Sequence, residues 1–230
     1  MDFLQCSSGE TPEIPPSQPE FPQPLNEEPD LASDECPSKR LAITEKSQKS
    51  ATFSNCIFND FKSTQDDGGA IYINKASAYS LNCNNVNFTS CSSEKSGGAI
   101  YISIKSSGTH VYNFVDCIFH HCKASNAGGA IFCYTQKTTE ITIFRCKFVS
   151  NSVASTSEPS GSSASFTSYG GGGAIQLSFQ NANITCCEFH DNECTYGSNI
   201  CLFTVFGGNL NAQLHIHNCT ITFSNPSPDK

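Results

Sequence analysis

Two short stretches gather the residue types that hold metals or move protons: CIFHHC at 117–122 and CCEFHDNEC at 186–194. Cysteine and histidine three residues apart is a zinc-ligand spacing, with ligand atoms about 2 Å from the ion. Here the spacing does not close a site. Cys117 and Cys187 fall in an inward column of the repeat set out below, and His120 and His190 lie an odd number of positions further on. On a continuing strand an odd step reverses the face, so each pair straddles the wall. The two histidines also stand two repeats apart, roughly 10 Å at the spacing of paired strands. No metal site and no cofactor are expected.

The densest acidic group is Glu188, Asp191 and Glu193, beside His190. Cleaving a polysaccharide needs carboxylates within several Å of one another, hence on the same or adjacent repeats. Asp60 and Asp191 share a column but are four repeats apart. Lys147 and Glu188 are stacked neighbours, which reads as a surface ion pair of small worth. Asp66 and Asp67 precede only the first GGAI, with Ser96, Ala127 and Gly171 in the later repeats, so they read as turn residues. No catalytic residue is assigned. Three glycosylation sequons, NFT (87–89), NIT (183–185) and NCT (218–220), place their asparagines in outward columns, where a glycan would have room.

The cysteines form columns of their own. Cys117, Cys146, Cys187 and Cys219 occupy one inward position in successive repeats, and Cys91 and Cys122 share another. Strands stacked about 4.8 Å apart put such residues within the Cα window for disulfides. In-register parallel side chains point the same way, however, which makes the bridge torsion difficult. The ladder is read as small buried hydrophobes with few bridges.

Composition bounds the remainder. Of 230 residues, 37% are hydrophobic, with no Trp and a net charge of −8. All nine acids before Lys39 stand without a Lys or Arg, and from Lys39 onward twelve acids face thirteen basic residues. A near-neutral body with two arginines, Arg40 and Arg145, lacks the basic patch that phosphate backbones require, so nucleic acid is not an expected partner. No stretch approaches the roughly 20 apolar residues that cross a bilayer, and MDFLQCSSGE has neither the basic nor the apolar region of a secretory signal. No membrane insertion is expected of this segment.

These residues are held by a repeat. GGAI begins at 68, 97, 128 and 172, a period near 30 that a Ser-rich insertion at about 152–168 lengthens once. Its paired glycines are Gly68/Gly69, Gly97/Gly98, Gly128/Gly129 and Gly172/Gly173. Both members of each pair are expected to supply backbone angles that other residues resist. Between the glycine pairs run two pairs of period-two columns. One holds Phe53, Cys83, Phe114, Ile143, Ile184 and Ile216 with the residues two places earlier; the other holds the cysteine ladder with Phe58, Phe88, Phe119, Phe148 and Phe189. Period two marks strands with one buried face. The phase slips by one residue beside Asn55, Asn85, Asp116, Arg145, Cys186 and Asn218, which predicts a corner. GGAI supplies a third strand, with Tyr72, Tyr101 and Phe132 outward as an aromatic stripe. That stripe is a candidate contact surface, or it is covered by loops; the residues leave both open.

The pattern predicts an all-β chain folded as a right-handed parallel β-helix of about six three-stranded coils over 39–225. Residues 1–38, with eight prolines between 10 and 37, read as a disordered or polyproline-like acidic tail, and 226–230 as a short C-terminal tail. PSQP (16–19) and PEFP (19–22) fit the PxxP spacing of proline-recognition ligands, but the composition is sufficiently explained by a solvated tail.

GGAI paired with F-x-x-N resembles the polymorphic membrane protein (Pmp) repeat of chlamydial outer-membrane autotransporters and related surface proteins of some protists. FVSN (148–151) and FHDN (189–192) match the second motif, FTSC (88–91) and FHHC (119–122) carry Cys for Asn, and FNDF (58–61) departs further. The resemblance spans about 51–225. It implies a noncatalytic β-helix displayed outside the cell or on its surface, adhering to a cell-surface protein or glycan of unknown identity. The sequence carries neither the family's signal peptide nor its C-terminal barrel, so a secreted form, a fragment or a degenerate member stay open. The competing class is a carbohydrate-active β-helix enzyme.

Overall fold

A computed structural model describes residues 31–33, 36–44, 49–75, 79–104, 108–135, 139–154, 171–194, 199–203 and 213–222. They form a parallel β-solenoid with no helix. Every strand pairing between successive turns is parallel and in register, so each sheet is a column of one strand per turn. One complete turn shows the plan. His110–Val115 forms the first face, Ile118–His120 the second, Lys123–Ala124 the third and Ile131–Thr135 the fourth.

The period-two columns fill the interior as the alternation requires. Phe53, Cys83, Phe114, Ile143 and Ile184 are at most 2% exposed on the first face, and Phe58, Phe88, Phe119, Phe148 and Phe189 are fully buried on the second. The five phenylalanine rings stack with centroids 4.8–4.9 Å apart and planes within 7° of parallel. That separation is the strand spacing itself, so one side chain per turn makes a continuous apolar column. Each buried Phe contributes on the order of 1.5–3 kcal/mol relative to exposure.

The corners explain the phase slip. Asn55, Asn85, Asp116, Arg145, Cys186 and Asn218 all adopt left-handed backbone angles, φ between 51° and 57°. A single left-handed residue turns the chain and shifts the alternation by one. Amide hydrogen bonds continue through the bend, as from Asn85 N–H to Val115 O at 2.9 Å and from Asp116 N–H to Phe144 O at 3.0 Å.

The expectation of about six three-stranded coils is corrected in both numbers. A second left-handed corner, at Asp60, Ser90, His121, Ser150 and Asp191, splits the segment after each phenylalanine and creates the two-residue third face. Each complete turn therefore carries four strands. Among the described residues four turns are complete, over 50–75, 80–104, 110–135 and 139–178. The next keeps three strands and a single bridge from Glu193 to Ser152, and the last keeps two strands.

Leu31–Ser33, within the stretch read as a tail, pair in parallel with Ala51–Phe53. Most of 1–38, and 226–230, lie outside the described residues. Ser152–Val153 still form a strand of the third face, so the Ser-rich segment departs from the repeat after them; residues 155–168 also lie outside. No helix among the described residues is long and apolar enough to cross a membrane.

Candidate functional site

In each GGAI the first glycine turns the third corner: Gly68, Gly97, Gly128 and Gly172 have φ of 60–68°. The expectation that both glycines of a pair supply unusual angles is corrected for the second. Gly69, Gly98, Gly129 and Gly173 are not among the left-handed residues. Three of them are needed for space instead, because each lies against the next turn. A Cβ on Gly69 would sit 2.2 Å from the Gly98 carbonyl oxygen and 2.6 Å from that of Ser92. One on Gly98 would sit 2.1 Å from Gly129 O, and one on Gly129 2.0 Å from Gly173 O. The glycine pairs thus bring backbones together, one through φ and the other through a missing side chain.

F-x-x-N performs the same task with a side chain. Asn151 Nδ2 donates to Phe119 O at 3.0 Å, and its Oδ1 accepts from Cys122 N–H at 2.9 Å. Asn192 repeats the pattern one turn on, donating to Phe148 O and accepting from Asn151 N–H. Asn151 also donates to Asn192 Oδ1, so the buried amides link to one another. Where the sequence has cysteine, the thiol donates to the equivalent carbonyl: Cys91 to Phe58 O and Cys122 to Phe88 O, each at 3.5 Å. The Asn-to-Cys change in the motif therefore keeps the donor and puts a weaker sulfur acceptor in place of the amide oxygen, toward Phe61 N–H at Cys91 and Cys91 N–H at Cys122.

The other cysteine ladder is also a bonding column. Cys117, Cys146, Cys187 and Cys219 donate one turn back, to the carbonyls of Cys83, Phe114, Ile143 and Ile184, at 3.4–3.5 Å. None of the four is in a disulfide. Burial pushes the Cys83, Cys122 and Cys133 thiols up, which disfavours the reactive thiolate. A thiol reagent at neutral pH is therefore expected to modify exposed Cys36 rapidly and to leave Cys83, Cys122 and Cys133 untouched. Denaturation without reductant should then release the ladder thiols. Little free thiol after denaturation would contradict this account of the ladder.

The aromatic stripe is a stacked column, and its two ends differ. Tyr72 and Tyr101 stack at 5.4 Å, and Tyr101 and Phe132 at 5.1 Å. Phe132 is fully buried, as is Gln176 next in the column. Tyr101 is part-buried, and that burial, ahead of the nearby Asp67, pushes its hydroxyl up to about 12. Tyr72, at the other end, is also part-buried, and a cation covers it. The Arg40 guanidinium lies 5.0 Å from the centre of the Tyr72 ring. It donates to Asp67 O at 2.6 Å and Gly68 O at 2.7 Å, with Asp66 Oδ2 3.9 Å away.

Sequence reasoning missed this arginine, although the register could have found it. Leu41–Ile43 pair with Ile71–Ile73, which aligns Ala42 with Tyr72. A methyl group leaves the tyrosine face uncovered, and Arg40 fills the space.

Asp67 has a definite role as well. Its Oδ1 accepts from Ser96 N–H at 2.8 Å, tying the first complete turn to the second. Burial raises its carboxyl above the usual aspartate range, and the Ser96 bond opposes that only in part. A raised folded-state value means the folded chain holds the proton more tightly. Wild-type stability therefore falls as pH rises from the unfolded aspartate value through the folded one. Asp67→Asn keeps an acceptor for Ser96 and removes the titration. It is expected to lose this slope in denaturation measured between acid and neutral pH; an unchanged slope would contradict the assignment.

The outward face of the second sheet holds the polar groups. Lys147 and Glu188 pair at 3.1 Å, as their register implies. Hydrogen bonding to Lys147 lowers the Glu188 carboxyl, with part-burial opposing it. His190 joins Glu188 at 3.4 Å and Thr222 at 2.5 Å. The three acids near His190 fall on different parts of the turn: Glu188 on the strand, Asp191 on the left-handed corner and Glu193 beyond it. His120 and His190 stay two turns apart, and among the described residues no group of three His, Cys, Asp or Glu is placed to hold a metal ion. Asn87 is half-buried, Asn183 and Asn218 are exposed, and Thr185 Oγ1 donates to Asn183 Oδ1 at 2.7 Å.

Comparison with protein-family models, with curated proteins and with solved structures finds no match.

Proposed function

We propose that this chain is a noncatalytic, right-handed β-helix of the Pmp-repeat type, displayed outside the cell or on its surface, that adheres to a cell-surface protein or glycan. The observation that carries this reading is where the motif residues go. The glycines, asparagines, phenylalanines and cysteines that recur each turn are taken up in backbone approach, hydrogen bonding and core stacking. What is left for a partner is the outer surface of a solenoid, and extended surfaces are the usual binding asset of that architecture. The end of the aromatic column where Arg40 lies over Tyr72 is its most organised feature. With Tyr101 on one face of Tyr72 and Arg40 over the other, this end offers a fixed cation beside a ring edge, which suits an acidic group of a glycan or a carboxylate of a protein loop.

The test is binding of the intact chain to immobilised glycans and to cell surfaces, run alongside a reducing-sugar release assay. Binding that weakens roughly tenfold in Tyr72→Ala, without sugar release, supports the proposal. The competing reading, a carbohydrate-active enzyme, draws on the linked Glu188, His190 and Thr222 of the second face. Sugar release abolished by Glu188→Gln would establish it and overturn the first.

A further inference from the structure

Cys36 breaks the pattern of the cysteine columns. Ladder thiols reach back along the solenoid: Cys117, Cys146 and Cys187 donate to the carbonyls of Cys83, Phe114 and Ile143, one turn earlier. Cys36 reaches forward instead, its Sγ lying 3.9 Å from Asn55 O on the following turn. The residue after Asn55 is Cys56, and the Cys36 side chain meets its thiol directly as a hydrogen-bonding partner.

Register explains the meeting. Leu31–Ser33 pair with Ala51–Phe53, and Cys36 and Cys56 each stand three places beyond the Ser33–Phe53 pair. Cys36 therefore falls in the ladder column, one strand spacing of about 4.8 Å from Cys56. That separation lies inside the Cα window of roughly 4.4–6.8 Å for a disulfide. Stacking alone does not make a bridge, since in-register thiols that lean the same way present a poor torsion. Here the outer member leans toward its neighbour.

Access separates this pair from the other touching thiols. Cys91 and Cys122 are in contact, as are Cys117, Cys146 and Cys187, but all five are buried, away from any dissolved oxidant. Cys36 is the one exposed cysteine among the described residues, while Cys56 is 1% exposed. Burial, ahead of the Cys36 contact, pushes the Cys56 thiol up to about 11, so the exposed thiol reacts first.

We propose that Cys36 and Cys56 form a disulfide when the chain meets a low-molecular-weight disulfide, and that this bond fastens the strand Leu31–Ser33 to the first complete turn. The Cys36 thiolate attacks one sulfur of the reagent, whose S–S bond breaks and releases one thiolate. Cys56 then loses its proton to water, and its thiolate attacks Cys36 Sγ, breaking the mixed disulfide and expelling the second thiolate. Two cysteine thiols are oxidised by two electrons, and the reagent is reduced to two thiols that carry the two protons. A strand held by three residue pairs becomes held covalently, and reduction releases it. This modification does not depend on what the outer surface binds.

The test takes the full reduced chain into a mixture of oxidised and reduced glutathione at neutral pH. Remaining thiols are then alkylated in denaturant, and the digest is read by mass spectrometry. One intramolecular linked peptide is expected, joining Cys36 to Cys56. Amide exchange in Leu31–Ser33 should slow roughly tenfold on oxidation and recover with dithiothreitol. Cys36→Ser, at an exposed position, should keep the wild-type circular dichroism, form no linked peptide and show no slowing. Glutathione resting on Cys36 alone, a bond from Cys56 to Cys83, or no intramolecular bond at all overturns the proposal. So does a linked chain whose exchange at 31–33 is unchanged.

Discussion

Replacing Gly98 by alanine is expected to cost about 3 kcal/mol or more, enough to consume a large share of a typical domain's 5–15 kcal/mol. In an ordinary loop the same change often stabilises by about 0.4–1 kcal/mol, because alanine restricts the unfolded chain. Here the folded-state term wins. The added Cβ would lie 2.1 Å from Gly129 O, 2.6 Å from Lys123 N and 2.7 Å from Lys123 C. All three are backbone atoms of the neighbouring turn, so no side chain can swing aside. Relief requires the turns to separate, and separation breaks the Gly98 N–H to Gly128 O bond and the adjoining ladder. Urea denaturation followed by circular dichroism measures the effect. A variant within about 1 kcal/mol of wild type would show that the second glycine of GGAI is not a close-approach position.

The second large effect is at Asn151. Alanine there leaves Cys122 N–H without its acceptor and takes the amide donor from Phe119 O and Asn192 Oδ1, the latter keeping Asn151 N–H, in a site closed to solvent. Each orphaned buried group costs roughly 1–3 kcal/mol, and relaxation recovers some of it, so a loss of about 3 kcal/mol is expected. Two further variants separate hydrogen bonding from mere volume. Asn151→Cys imitates Cys122, whose thiol donates to Phe88 O, so it should recover roughly half of the alanine loss. Asn151→Asp keeps an acceptor for Cys122 N–H, loses the donor to Phe119 O and buries a charge, so it should be worse than alanine at neutral pH. An order in which Asp equals Asn would mean that the amide donor does not matter.

Both predictions depend on details that the sequence made only partly legible. The inward columns and the first corner could be read because a period-two pattern records which face each residue takes. The slip at Asn85 or Asp116 is visible as a break in that pattern. The second corner left no such mark. Its residues are of mixed type, Asp60, Ser90, His121, Ser150 and Asp191, and the strand that follows has two residues, too few to show alternation. The four-strand turn was lost for that reason, and with it the count of complete turns. The glycine pairs were legible as a device but not in how they divide the work. A sequence cannot tell a glycine chosen for its φ, such as Gly68, from one chosen for lacking a Cβ, such as Gly69.

The outer surface was legible in direction but not in cover. Tyr72, Tyr101 and Phe132 do form one column, yet Phe132 is fully buried, because the repeat encodes which way a side chain points and not what lies over it. Arg40 escaped notice because Leu41–Ile43 carries no glycine pair before it, although it is one more strand of the GGAI face. The exposure in the last described turn was hidden in the opposite sense. Leu214, Ile216 and Ile221 fit the interior pattern yet are 40–45% exposed, because the pattern records direction and not cover.

The central claim is that residues one repeat apart are direct neighbours, so that GGAI and F-x-x-N act as stacking devices. Ring-to-ring nuclear Overhauser contacts in chain selectively labelled at phenylalanine test it most directly. The account predicts contacts from Phe119 to Phe88 and to Phe148, whose centroids lie 4.8 Å away on either side, and none between Phe88 and Phe148. Contacts joining Phe88 to Phe148 directly, or an absence of contacts at one-repeat spacing, would contradict it.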